Sequence, residues 1–99
     1  MSDRSDRTGV KELLGILSAQ DYRCALSGHP LTPANASADH IVPLCRGGTH
    51  APDNAQIVTR EINRAKGTMT NEEFINLCRL VVEHAERHKS DREASRGDS

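Results

Sequence analysis

The chain has little aromatic surface and almost no net charge. Its 99 residues include one Phe, one Tyr and no Trp, and the formal net charge is −1. A single domain of this size buries only about 60–65% of its surface, so a bound metal or a partner chain would add needed stability. The charge balance excludes the strongly basic class of nucleic-acid-binding proteins. Composition therefore indicates one small domain and no particular function.

Paired cysteines and long apolar runs are also missing. The three cysteines, Cys24, Cys45 and Cys78, form no Cys-x-x-Cys pair, which argues against a disulfide framework. No signal peptide and no apolar run of about 18 residues is present, so we expect no membrane association. We expect reduced thiols in a cytoplasmic protein.

Two amphipathic helices are predicted at the two ends of the foldable segment. Apolar residues at helical spacing follow a Thr8 cap and comprise Val10, Leu13, Leu14 and Leu17. Near the other end, Thr70 and Glu73 form a capping box. The long helix that follows it has one apolar face, made of Phe74, Leu77, Cys78, Val81 and Ala85. The polar segments 1–8 and 90–99 are predicted to be disordered tails, which leaves one domain over 9–89.

The centre of the chain predicts a hairpin followed by a short helix. Strands are expected over Ala38–Val42 and Asn54–Val58, with a Gly-Gly turn between them. Thr59 can cap a helix over Arg60–Lys66, and Gly67 can end it. The predicted fold is α+β, a small hairpin-helix core packed between the N- and C-terminal helices.

Polar groups suited to phosphodiester hydrolysis gather in this hairpin and helix. The carboxylate of Asp39 and the amide oxygen of Asn63 are hard ligands of the kind that Mg²⁺ prefers. The imidazole of His40 can accept a proton from an attacking water near neutral pH. In the helix, Arg60, Asn63 and Arg64 share one stripe, so an oxygen ligand lies between two guanidinium groups that match phosphate.

The string from Asp39 to Lys66 resembles the HNH endonucleases of the ββα-metal (His-Me finger) class. His40, Asn54 and Asn63 stand at the three signature positions, the third being Asn where the family name has His. The Asp-His-Ile-Val-Pro and Asn-Arg-x-Lys strings and the intervals of 14 and 9 residues match the HNH domain of CRISPR effector nucleases. The resemblance covers about Tyr22 to Phe74.

The resemblance implies a metal-dependent DNA endonuclease that nicks one strand with low intrinsic sequence specificity. His40 would be the general base, Asp39 and Asn63 the ligands of one divalent ion, and Asn54 the residue that holds the loop. Mg²⁺ is the expected ion, and Mn²⁺ or Ni²⁺ can substitute in vitro. We assign contacts with the DNA backbone to four cations of this segment, namely Arg46, Arg60, Arg64 and Lys66.

Two features depart from the family pattern. Many members hold a structural zinc with two Cys-x-x-Cys pairs, whereas here Ser27 stands at the second position after Cys24. Structural zinc is therefore not expected, and Cys24 is interpreted as a buried free thiol. In addition, neighbouring strand residues point to opposite faces, so Asp39 and His40 could reach one phosphate only from a bulged or twisted strand.

Two other functions stay open. The chain could be a non-catalytic nucleic-acid-binding module derived from an HNH fold, or a helical protein-interaction domain whose Asp-His string is accidental. The expected partner is DNA, and a homodimer or a phage or defence partner protein is compatible with the sequence. A bare nuclease module of this kind fits a phage or mobile-element context.

Overall fold

A computed structural model describes residues 9–97, with side chains described over 9–89. Its elements are α1 (Val10–Ala19), β1 (Ala36–His40), β2 (Ala55–Thr59), α2 (Arg60–Lys66) and α3 (Asn71–Gly97). Two single 3-10 turns, Leu44–Arg46 and Pro52–Asn54, lie in the loop between the strands. The predicted N-terminal tail, 1–8, lies outside the described residues. This small α+β arrangement is compatible with the predicted hairpin-helix core.

The two strands form a regular antiparallel hairpin. The register runs from Ala36 opposite Thr59 to His40 opposite Ala55, without a bulge. The strands were predicted over 38–42 and 54–58, so β1 begins and ends two residues earlier than expected. It ends early because the backbone N–H of Val42 donates to the side-chain oxygen of Asn54, at 2.9 Å, instead of to a strand partner.

Helix α2 has the bounds that its capping residues predict. The hydroxyl of Thr59 accepts a hydrogen bond from the backbone N–H of Ile62 at 3.3 Å. The helix ends at Gly67, whose φ of +55° is readily adopted only by glycine. Thr59 is also the last residue of β2, so strand and helix join without a loop. This direct junction lays α2 against both strands.

Helix α1 is fixed to β2 by a side-chain amide. Gln20 donates to the carbonyl of Ile57 at 2.8 Å and accepts from its N–H at 3.0 Å, as a neighbouring strand would. The predicted stripe was partly wrong, because Val10 and Leu14 are 75% and 53% exposed. The half-buried face lies to one side of that stripe and consists of Leu13, Ile16, Leu17 and Gln20.

Helix α3 begins with the predicted capping box and then leaves the core. Thr70 N–H donates to a Glu73 carboxylate oxygen at 3.0 Å, and Glu73 N–H donates to the Thr70 hydroxyl at 3.2 Å. Phe74 is buried, but the face predicted to continue the packing is exposed, with Leu77 at 47% and Val81 at 60%. The helix continues to Gly97, through most of the segment that was predicted to be a disordered tail, 90–99.

The prediction that both flanking helices cover the core is therefore wrong for α3 beyond its first turn. Among the described side chains, those that form the buried hydrophobic core are few, namely Cys24, Ile57, Val58 and Phe74. A core this small offers no further surface against which the rest of α3 could pack. Within the described part of the chain, no helix combines the length and apolar character needed to cross a membrane.

The ion pair between Arg46 and Glu73 ties the interstrand loop to the start of α3. Two guanidinium nitrogens of Arg46 contact the two carboxylate oxygens of Glu73 at 2.9 and 2.8 Å. Hydrogen bonding from Arg46 and from the Thr70 N–H lowers the pKa of Glu73 from 4.5 to about 2. Because the folded-state pKa is lowered, the stabilisation is present above about pH 4.5 and is lost as the pH falls toward 2.

We therefore expect Arg46→Gln to destabilise the protein at neutral pH, with a difference from wild type that shrinks between about pH 5 and pH 2. Urea unfolding followed by circular dichroism at several pH values measures this difference. Arg79→Gln is the matched control, because Arg79 bonds to the neutral Asn76. A constant difference across this pH range for Arg46→Gln would show that the pair does not stabilise the fold.

Candidate active site

Asp39 lies between the hairpin and α2, on the face of β1 that the helix covers. Its carboxylate oxygen Oδ2 accepts from Gln56 Nε2 at 2.9 Å and from Lys66 Nζ at 2.8 Å. Gln56 stands directly opposite Asp39 in the register and also exchanges two hydrogen bonds with Asn71. The carboxylate is thus joined to β2, α2 and the start of α3.

Lys66 is buried, which differs from its expected place at the DNA backbone. The residue is 1% exposed, and its ammonium also donates to the backbone carbonyl of His40 at 2.7 Å. Lysine is almost never fully buried unless its charge is paired. Because both contacts of Nζ lie inside the protein, Lys66 offers no surface to a phosphate in this arrangement.

Asn63 and the two arginines of α2 lie beside an open groove. Asn63 Nδ2 donates to the hydroxyl of Ser37 at 2.7 Å, across the same helix–strand interface that holds Asp39. Ser37 and Asp39 are two residues apart on β1 and share a face. Arg60 and Arg64 are exposed, line the groove with Asn63, and form no ion pair within the described residues. The groove combines a neutral side-chain amide with two exposed guanidinium groups.

His40 ends β1, and its side chain lies beside that of another histidine. The ring centroids of His40 and His50 are 5.6 Å apart, with the planes nearly perpendicular. The regular register directs Asp39 and His40 to opposite faces of the strand, so no bulge brings them to one face. The fold therefore brings Lys66 to Asp39, brings Asn63 to Ser37 on the same face of β1, and places His40 beside His50 of the interstrand loop.

Asn54 organises that loop through the backbone. It accepts from Val42 N–H at 2.9 Å and donates to the carbonyl oxygens of Val42 and Thr49 at 3.0 and 2.8 Å. Gly48 lies against the same peptide, and a Cβ atom there would overlap the carbonyl oxygen of Val42. These contacts fix the chain that leaves His40, while the catalytic role of Asn54 stays a prediction.

Cys24 is buried beside the end of β2. Its sulfur accepts from the backbone N–H groups of Ser27 at 3.5 Å and Thr59 at 3.4 Å. Burial alone would raise the pKa of this thiol, but the hydrogen bonds from Ser27 and its neighbours outweigh burial and lower it. Cys24 thus has a structural place, because its sulfur joins the turn at Ser27 to the end of β2 at Thr59.

Two side-chain oxygens between β1 and α2 are of the kind that a hard divalent ion prefers. Oδ1 of Asp39 and Oδ1 of Asn63 make no hydrogen bond with described residues, and none of the described buried side-chain oxygens lacks a partner. Both oxygens are therefore reached by solvent. No group of three or more His, Cys, Asp or Glu side chains is present within the described residues. One carboxylate and one amide suit Mg²⁺, which keeps several waters, better than Zn²⁺.

Sequence reasoning missed three partners of the site. These are Ser37, Gln56 and Glu73, which contact Asn63, Asp39 and Arg46 respectively. Only Glu73 carried a signal, since it belongs to the capping box. The other two depend on the strand register.

Comparison with known proteins shows a partial similarity. No family model matches the chain. A stretch of 49 residues, 48% of this chain, is 39% identical to the CRISPR-associated endonuclease Cas9 of Corynebacterium diphtheriae. The chain spans about 4% of the length of that protein. The chain is therefore similar in part to an endonuclease, and the similarity is too short to show a family.

Replacement of Asn54 tests the organisation of the loop. Asn54→Ala leaves three backbone groups without their partner, so we expect a loss of about 1–3 kcal/mol in the free energy of unfolding. Urea denaturation measures the loss. Asn76→Ala, at an exposed position of α3, should change it by less than about 0.5 kcal/mol. Equal free energies of unfolding for the two variants would show that Asn54 does not stabilise the loop.

Two glycines provide a matched steric test of the same loop. Gly48→Ala should lower the free energy of unfolding by at least about 2 kcal/mol, because the new Cβ overlaps the Val42 carbonyl. Gly15→Ala, inside α1 with no atom within 4 Å of the new Cβ, should raise it by about 0.5–1 kcal/mol. Thermal melting compares the two. A tolerated Gly48→Ala would mean that the loop can move away from Val42.

Proposed function

We propose that this protein is a metal-dependent DNA endonuclease of the HNH type that nicks DNA with low intrinsic sequence specificity. The carrying observation is the shared face of β1 and α2, which holds Asp39 and Asn63, each with one solvent-reached oxygen. Asn63 also lines a groove with Arg60 and Arg64, which form no ion pair with the described residues. The partial similarity to an endonuclease supports the same conclusion.

Each residue then has a chemical task. Asp39 and Asn63 would hold one divalent ion, with Mg²⁺ expected, through Oδ1 of each side chain. Such an ion supplies positive charge that stabilises the phosphate and the departing oxygen. His40 would take the proton from the attacking water, and Arg60 and Arg64 would bind phosphate oxygens in the groove. Asn54 would keep the chain beyond His40 in one conformation.

The geometry sets a condition on how the substrate lies. Since His40 and Asp39 point to opposite faces of β1, one phosphate can meet both only if it lies across the end of the strand. His40 is the last residue of β1, so the end of the strand is where this can happen. Arg46 could reach DNA only by leaving Glu73, and an exposed ion pair of this kind is weak enough to exchange.

A non-catalytic nucleic-acid-binding module is the second candidate. One observation favours it, namely that the Asp39 carboxylate already has an internal cation in Lys66. Such a module would bind DNA through Arg60 and Arg64, with an affinity that falls steeply as salt rises. Its affinity for DNA would not change when His40 is replaced.

Plasmid nicking separates the two candidates. Supercoiled plasmid is incubated with Mg²⁺, Mn²⁺, Ni²⁺ or EDTA and with wild type, His40→Ala or His88→Ala. We expect metal-dependent nicked circles from wild type and a loss of roughly 10²–10⁴-fold in His40→Ala, because the general base is gone. His88→Ala is the control, since that imidazole is exposed on α3.

The opposite results are equally clear. Intact plasmid under every metal, from a protein that is folded and binds DNA in gel-shift assays, would favour the binding module. Equal nicking by wild type and His40→Ala would keep the nuclease but remove His40 as its base. Nicking that persists in EDTA would remove the metal.

A further inference from the structure

We propose that Lys66 is a built-in counterion of the Asp39 carboxylate, with which a divalent metal ion must compete to bind. This inference rests on the proposed function, because it places the metal ion on Asp39 and Asn63. It concerns what sets the affinity of that site, and it gives Lys66 a positioning role in place of the expected contact with DNA.

The ammonium of Lys66 is held by two oxygen atoms, as a bound cation would be. Nζ lies 2.8 Å from Oδ2 of Asp39 and 2.7 Å from the carbonyl oxygen of His40. The Lys66 side chain is 0% exposed and the Asp39 side chain 10% exposed. A positive charge thus already occupies one side of the carboxylate, in surroundings where water screens it little.

Electrostatics makes this ammonium and a divalent ion competitors. The carboxylate carries one negative charge, which Lys66 neutralises, so an arriving ion meets a neutral pair and a neutral amide instead of an anion. It would also lie a few ångströms from a like charge. Mg²⁺ and Mn²⁺ prefer anionic oxygen ligands, so the affinity must be lower than these two side chains alone would give.

Competition also couples the site to the chain at His40. The Nζ atom that contacts Asp39 also donates to the His40 carbonyl, so a displacement of Lys66 would act on the backbone of His40. The ammonium of Lys66 therefore contacts both the backbone of the proposed general base and the carboxylate of the proposed metal ligand. Metal binding would therefore change two contacts of Lys66, the one with Asp39 and the one with the His40 carbonyl. If Lys66 had only a structural role, metal binding would leave both contacts unchanged.

Binding of Mn²⁺, followed by electron paramagnetic resonance of the free ion, tests the proposal without DNA. Four proteins are compared: wild type, Lys66→Gln, Lys89→Gln and Asp39→Asn. Glutamine keeps a hydrogen-bond donor at position 66 and removes the charge, while Lys89 is an exposed lysine of α3. We expect Lys66→Gln to bind Mn²⁺ at least about tenfold more tightly than wild type, equivalent to about 1.4 kcal/mol. Lys89→Gln should match wild type, and Asp39→Asn should lose binding.

The outcomes separate this proposal from the proposed function. Unchanged or weaker binding by Lys66→Gln, with binding lost in Asp39→Asn, would overturn the competition and leave the metal site in place. Wild-type affinity in Asp39→Asn would remove the metal from Asp39 and overturn both. Binding by Lys66→Gln where wild type binds nothing measurable would support complete exclusion by Lys66.

A second measurement uses wild-type protein alone and does not depend on the folding of a variant. The ammonium of a buried, hydrogen-bonded lysine exchanges slowly with water, so its ¹⁵N resonance can be observed. Addition of Mg²⁺ should shift the Lys66 resonance and speed its exchange. A Lys66 signal that stays unchanged while Mg²⁺ saturates the protein would show that the ion pair survives, and the proposal would be wrong.

Discussion

The buried ion pair between Asp39 and Lys66 is the interaction on which the rest of the site depends. It joins β1, one residue before its end, to the last residue of α2, and Gln56 extends the link to β2 and to the start of α3. Loss of one partner of a buried pair costs about 3–5 kcal/mol, because the other charge stays behind without compensation. Because only a few apolar side chains are buried among residues 9–89, that is a large share of the stability of the domain. The polar contacts of the site therefore also hold β1, β2, α2 and the start of α3 together.

Much of the fold could be predicted because its signals are local. The Thr59 cap, the Gly67 stop and the Thr70–Glu73 capping box each depend on residues within one helical turn, and each appears as predicted. The partners of Asp39 could not be predicted in the same way. The predicted strands, aligned end to end, would place Asp39 opposite Ile57, whereas the observed partner is Gln56. A register that differs by one residue decides whether the carboxylate faces an aliphatic chain or an amide.

The two cations that differ from expectation do so for different reasons. Lysine is almost always exposed, so Lys66 was expected at the surface. It is buried because its ammonium pairs with the carboxylate of Asp39, and the sequence does not show that these two residues meet. The pairing of Arg46 with Glu73 depends on where α3 begins relative to the loop, which no local pattern records. The apolar face of α3 illustrates a third limit. Helical periodicity shows that a face exists, but not whether the protein supplies a surface to cover it.

Helix α3 also sets a fixed distance between the site and an exposed apolar surface. Its first residue, Asn71, is bonded to Gln56, which in turn contacts Asp39, so the origin of the helix is fixed at the site. Val82 follows eleven residues later, in a stretch of aliphatic side chains open to solvent. At 1.5 Å per residue, about 16 Å of straight helix separates the two positions. Any molecule that binds this stretch would therefore lie about 16 Å along the helix from Asn71. That distance is close to the length of five base pairs of duplex DNA, at about 3.4 Å each.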